Sequence, residues 1–174
     1  MNKSMPAHLC ERAFLVCFCH LGHCAGVSFS TFPLMIHDTL FDSIRKKEVP
    51  ATPEEHIRQV TIRYLLDVVK VPEHLIAVEF PLSSVDSKTA DRVDVLVHNF
   101  RAGAPLEKPW LLVECKAPGE YSWPVLQQQL NKYLQILTPN YVMLALGDCV
   151  RYFELDSATR KFKKIEQLPV FDAK

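Results

Sequence analysis

Glu114 and Lys116 stand two residues apart in the most apolar stretch of the chain, Trp110-Leu111-Leu112-Val113-Glu114-Cys115-Lys116. In a β-strand, positions i and i+2 share a face, so a carboxylate and an ammonium emerge together. Charges on such a strand are costly unless they are paired, bound to metal, or functional. A second stretch, Arg92 to Asn99, alternates Val93, Val95 and Val97 against Asp94, Leu96 and His98. If the segment between the two folds as a hairpin centred on Ala104, Asp94 lies opposite Glu114, with Cβ atoms roughly 4.5–5.5 Å apart. Two carboxylates so close repel each other, and a hard divalent cation, Mg²⁺ or Mn²⁺, is the natural remedy. Such an ion can lower the pKa of a bound water and neutralise charge on a phosphate oxygen. Lys116 can then position the water or stabilise the transition state.

Three further residues fit the same pocket. Glu54 lies in the first turn of an expected helix, on the side shared by Ile57, Arg58 and Thr61. Glu55 is the better capping residue, which leaves Glu54 free to face the site. Gln129 and Tyr133 are i and i+4 on a second expected helix and project together. Each residue alone has a plainer reading. Asp94 can be a turn carboxylate, Glu114 with Lys116 a salt-bridged strand end, and Gln129 with Tyr133 an ordinary helix-face pair.

The elements that must position these groups are readable from periodicity. A strand-like stretch runs from about Leu34 to Ile44. Thr52-Pro53-Glu54-Glu55 is a helix start, with Thr52 as cap and Pro53 at the first helical position. That helix runs to about Lys70, with Ile57, Val60, Tyr64, Leu65 and Val68 as its buried stripe. Leu75 to Phe80 reads as a strand with Ile76, Val78 and Phe80 on one face and Glu79 on the other. Trp110 to Lys116 reads as a central strand. A second helix starts at Ser122 and ends near Leu137, with Leu126, Leu130, Tyr133, Leu134 and Leu137 on its apolar face. Tyr141 to Leu146 and Val150 to Leu155 form strands across the hairpin signal Gly147-Asp148, and Phe162 to Leu168 adds an edge strand. The order implies an α/β fold with helices flanking a mixed central sheet.

The composition suits that fold. The chain has 174 residues, 48% hydrophobic and 23% charged, with zero formal net charge. An extended nucleic-acid platform shows a basic excess, so any grip on DNA must be local or supplied by a partner. Short basic clusters occur at Arg45-Lys46-Lys47 and from Arg160 to Lys164; solvated loops are the plainer account of both. Of the six cysteines, Cys10, Cys17, Cys19 and Cys24 crowd near the start, and Cys115 and Cys149 sit in strand patterns. This is not a disulfide framework and suits a reducing compartment, the cytoplasm. No apolar run reaches the roughly 20 residues that span a bilayer. Residues 1–33 read apart from the domain expected over 34–174. A signal peptide and a zinc site at Cys17, Cys19, His20, His23 and Cys24 are conceivable there. An unneeded leader, with Met35 as alternative initiator, accounts for the segment with fewest assumptions.

In order along the chain, Asp42 to Lys47, Thr52 to Gln59, Ile76 to Glu79, Arg92 to Val97, Leu111 to Pro118 and Gln129 to Tyr133 resemble the N-terminal domain of type I restriction enzyme R subunits. The resemblance spans roughly Asp42 to Asp156. It implies a restriction-endonuclease-like core of the PD-(D/E)xK superfamily and a Mg²⁺-dependent DNA endonuclease. In that family the Asp and the Glu of the Glu-x-Lys strand bind the ion and the Lys is catalytic; Asp94, Glu114 and Lys116 match. Glu54 matches an assisting acid on the first helix, and Gln129 and Tyr133 match a Gln-x-x-x-Tyr helix motif. Glu79 stands where relatives carry a strand Glu. Val93 replaces the usual Pro before the metal-binding Asp. DNA and other restriction-modification subunits are the implied partners, with sequence recognition in another subunit. The chain has no Gly-x-x-x-x-Gly-Lys-Ser/Thr sequence, so no P-loop ATP site is expected in it. The alternative is a catalytically inactive DNA-binding or subunit-interaction module that keeps the nuclease fold.

Overall fold

The computed structural model describes residues 38–99 and 104–172. The leader expected over 1–33, with its Cys/His cluster, lies outside the described residues, as do the first residues of the strand expected from Leu34. From residue 39 the chain forms a hairpin rather than one strand. β1 (Thr39–Asp42) turns back into β2 (Lys47–Pro50) as an antiparallel pair. Buried Asp42 shapes the turn by accepting from the backbone N–H groups of Ile44 and Arg45 at 2.8 and 2.7 Å, an Asx-type closure.

Helix α1 (Pro53–Asp67) begins as expected: the Thr52 hydroxyl accepts from the Glu55 N–H at 3.1 Å, and Pro53 occupies the first turn. It stops short of Lys70, which takes a left-handed φ of 66°. The Val71 N–H then closes back on the Leu65 carbonyl at 2.9 Å, a capping pattern that satisfies a terminal acceptor. The buried face also differs from the apolar stripe. Leu65 is fully buried, but Val60 and Val68 are exposed, and Glu55, Arg58, Thr61 and Ile62 are buried instead. The helix is rotated toward its polar residues because ion pairs of Glu55 and Arg58 dock its first half.

Six strands form one sheet in the order β3 (Ile76–Pro81), β4 (Arg92–Val97), β5 (Leu111–Cys115), β6 (Tyr141–Ala145), β7 (Val150–Asp156) and β8 (Lys161–Ile165). Every neighbouring pair is antiparallel except β5 and β6, which run parallel across the connection that contains α2 (Trp123–Ile136). Successive residues of one strand pack in different clusters. Leu111, Val113 and Met143 join Ile62 and Leu65 of α1, while Leu112, Val142 and Leu144 join Leu126 and Tyr133 of α2. Each helix therefore covers one face of the sheet. All five residues of β5 are buried, as its apolar sequence implies for a central strand. Gly147, with φ 78°, sits first in the two-residue turn closed by Leu146 and Cys149. A Cβ there would stand 2.6 Å from the Pro118 ring, so this hairpin tip packs tightly on the chain just beyond Lys116.

The alternation expected in β3 and β4 breaks at one place. Ile76 and Val78 pack on the α1 side, but Phe80 packs on the α2 side; in β4, Val95 and Val97 pack with α1 and Val93 with α2. The switch falls between paired residues. Val78 pairs with Val95 and Phe80 with Val93, while the step between, Glu79 and Asp94, is missing from the ladder. Glu79 has a left-handed φ of 52°, a strained conformation for a residue with a Cβ. The kink keeps register but turns both strands over.

Candidate active site

The β4–β5 ladder pairs Val97 with Leu111, Leu96 with Leu112 and Val95 with Val113. One further step brings Asp94 opposite Glu114, as a hairpin centred on residue 104 requires. The register of β3 on β4, with Val78 opposite Val95 and Phe80 opposite Val93, sets Glu79 at the same level. Glu79, Asp94 and Glu114 thus lie in one line across three adjacent strands, where the ladders between them end or skip.

Each acid has a distinct environment. Asp94 Oδ2 accepts from the Cys115 backbone N–H at 2.7 Å, and Oδ1 accepts from Arg58 Nη2 at 2.9 Å. Glu114 is 1% exposed, and its Oε1 accepts from Lys116 Nζ. Its Oε2 is buried and has no hydrogen-bond partner among the described residues. Burial, then the negative charge of Asp94, push the Glu114 carboxyl up to about 7 against the opposing pull of Lys116, with Glu54 adding a smaller push. Burial alone would lower the Lys116 ammonium, but its bond to Glu114 and the charges of Glu114, Asp94 and Glu54 outweigh it, and its pKa is raised. Glu54 Oε2 lies 3.7 Å from Lys116 Nζ. The first turn of α1 therefore meets the end of β5, and Asp94, Glu114, Lys116 and Glu54 are brought together.

Gln129 and Tyr133 are also together, bonded to each other and to the β4 backbone. Gln129 Nε2 donates to the Tyr133 hydroxyl at 2.6 Å, and that hydroxyl donates to the Arg92 carbonyl at 2.8 Å. Tyr133 is 3% exposed. Burial first, then the charge of Glu114, raise its pKa. This chain of bonds ties α2 to β4 two residues from Asp94. Gln129 does reach a cleft of about 210 Å³, which Lys116, Glu120, Tyr121 and Leu126 also line. A second cleft of about 400 Å³ takes in Glu54, Arg58 and Glu79.

Sequence patterns assigned no such role to the basic residues that hold the acids. Arg58, with a side chain 7% exposed, donates to Asp94, to Glu54 at 3.1 Å and to Glu55, and lies 3.9 Å from Glu79. Arg45 pairs with Asp42 at 2.6 Å, Glu55 at 2.8 Å and Glu79 at 2.9 Å. Gln59 donates to Asp42 at 2.9 Å and to Glu55 at 2.8 Å. The hairpin β1–β2 is thereby fastened to α1. Arg45 is thus no part of a free basic patch, and Lys46 is engaged with Glu73 at 2.6 Å. The available signal was the spacing of Arg58 from Glu54 and Glu55, i+4 and i+3, which is also the spacing of an ordinary solvated pair.

The donors suit a hard cation: buried carboxylate oxygens, one of them without a partner. Among the described residues no three His, Cys, Asp or Glu side chains form a group that could cage an ion. Two carboxylates completed by water and substrate oxygens are the ordinary lodging of Mg²⁺, and Asp94 and Glu114 can supply that much.

Fold and site together define a mixed α/β domain that gathers acids and one lysine where the ladders of three strands end or skip a step. A family model of the type I restriction enzyme R protein N terminus matches residues 53–169. The match covers more than half of the chain, and the chain belongs to this family. It takes in every candidate site residue from Glu54 to Tyr133. No curated protein and no solved structure matches the chain.

Proposed function

We propose that this domain is a Mg²⁺-dependent DNA endonuclease of the type I restriction R subunit kind, built on a restriction-endonuclease-like core. The observation that carries the reading is the buried, unpartnered Oε2 of Glu114 beside the carboxylate of Asp94. Such an oxygen costs free energy in the fold unless a cation or proton meets it. Asp94 and Glu114 would hold Mg²⁺ or Mn²⁺, which when bound neutralises a phosphate oxygen and lowers the pKa of a bound water. Lys116, partly exposed and facing the smaller cleft, orients the attacking water by hydrogen bonding and offsets charge on the phosphate as an ester oxygen departs. Glu54 reaches Lys116 from α1 and holds its ammonium over the acids. Gln129 contributes from the cleft wall, and Tyr133 keeps Gln129 and β4 in place. DNA is the substrate, and other restriction-modification subunits are the partners that supply sequence recognition.

A second reading, a catalytically inactive DNA-binding or subunit-interaction module, is favoured by the ion pairs that already neutralise Asp94 and Glu54. Supercoiled plasmid with Mg²⁺ separates the two. The wild type is expected to nick it, and Asp94→Ala or Lys116→Ala is expected to lose on the order of 100-fold or more in rate. Nicking that survives both substitutions would reject the site. No nicking by the wild type, alone or with a motor subunit, would favour the second reading.

A further inference from the structure

Arg58 touches acids on both α1 and the kinked strands. Its Nη2 donates to Asp94 Oδ1 and Glu54 Oε1, its Nη1 to Glu55 Oε2, and Glu79 Oε1 lies 3.9 Å off. Four carboxylates thus surround one guanidinium. Two of them are the groups that the proposed function assigns to ion binding and to holding Lys116. Arginine cannot yield such a position by losing its proton; it can only move. Its attachment is incomplete, because the buried Nε has no partner among the described residues.

Resting on that reading of the site, we propose that Arg58 is a resident counter-cation that competes with the divalent ion for Asp94, and so holds the ion affinity of the DNA-free domain low. Asp94 Oδ2 is already committed to the Cys115 N–H, so Oδ1, the oxygen that Arg58 engages, is the freer of the two toward an ion. A unit positive charge a few ångströms from a divalent ion opposes its binding, and in a partly buried site the effect is large. Together with Arg45 and Lys116, the same residue offsets the repulsion among the acids when no ion is present.

The test uses Mn²⁺ as probe, titrated into the full chain without DNA and read by electron paramagnetic resonance of free ion. Arg58→Gln removes the charge and keeps much of the shape, and Arg58→Lys keeps the charge. Arg58→Gln is expected to bind Mn²⁺ roughly tenfold tighter or more, and Arg58→Lys to stay within a few-fold of wild type. Equal or weaker binding by a natively folded Arg58→Gln protein would overturn the proposal and leave Arg58 a strut. Because Arg58→Gln deprives buried Glu55 of a partner, the double variant with Glu55→Gln provides the same comparison if the single one does not fold. Failure of both to fold also makes Arg58 a strut. Asp94→Asn keeps the underlying reading separable. Wild-type binding lost in that variant supports the ion site whatever Arg58 does, and no binding in any protein defeats the site and the proposal together.

Discussion

Glu114 is the costliest residue of the central strand. It stands in a row of apolar side chains, nearly without solvent, with one oxygen unsatisfied. Its folded pKa of about 7 lies above the ordinary 4.5, so the fold favours the protonated acid. The stability this contributes is complete below about pH 4.5 and is lost as pH rises through 7. Metal-free wild type is therefore expected to lose stability across that window, on the order of a few kcal/mol at most. Glu114→Gln is expected to lack that loss, melting higher than wild type at pH 8 and close to it at pH 5, in chelator. His98, whose pKa burial lowers, titrates in both proteins and cancels in the difference. A wild-type and variant difference that does not change with pH would contradict the account. Arg58 shows why part of the site was hidden in the sequence. Charged residues at helical spacing normally face water, and the spacing that turned Glu54 toward the site gave no sign that Glu55 and Arg58 are buried.

At the scale of elements, the strand pair β4–β5 was legible because its hairpin is symmetric about residue 104 and valines and leucines fill both flanks. The helix start at Thr52-Pro53 and the Gly147-Asp148 turn were legible for the same kind of reason: each residue type is demanded by local backbone geometry. The kink at Glu79 was not, because a left-handed residue without glycine leaves no signature. That kink decides which face Phe80 and Val93 occupy, at the step where the register sets Glu79 level with Asp94. Because its φ of 52° is strained, Glu79→Gly relieves the backbone, while Glu79→Val, β-branched, is expected to be about 1–3 kcal/mol less stable than the glycine variant by denaturant unfolding. Equal midpoints for the two would mean that the backbone there carries no strain. The strand β2 was missed because Lys47-Glu48-Val49-Pro50 holds a single aliphatic side chain besides its proline; its pairing with β1 is secured by Asp42 and Arg45, a tertiary lock rather than a local preference.

For the molecule as a whole, the sheet with one helix on each face follows from periodicity, and family membership over residues 53–169 agrees with the motifs that suggested it. Among the described residues no helix is long and apolar enough to cross a membrane. Zero formal net charge gives the chain no overall basic excess. Exposed Lys161, Lys163 and Lys164 on the edge strand β8 offer only a local contact, and Lys163 lies within 3.9 Å of Glu154 and Asp156. The proposed function, which leaves sequence recognition to other subunits, fits that balance. The proposed chemistry rests on one ion held between two strands. Crystals of the domain soaked in Mn²⁺ and measured for anomalous scattering test it most directly. The account expects a single strong peak within coordination distance of both Asp94 and Glu114, with Arg58 drawn away from Asp94. A peak elsewhere, or none while both carboxylates stay paired as they are, would contradict it.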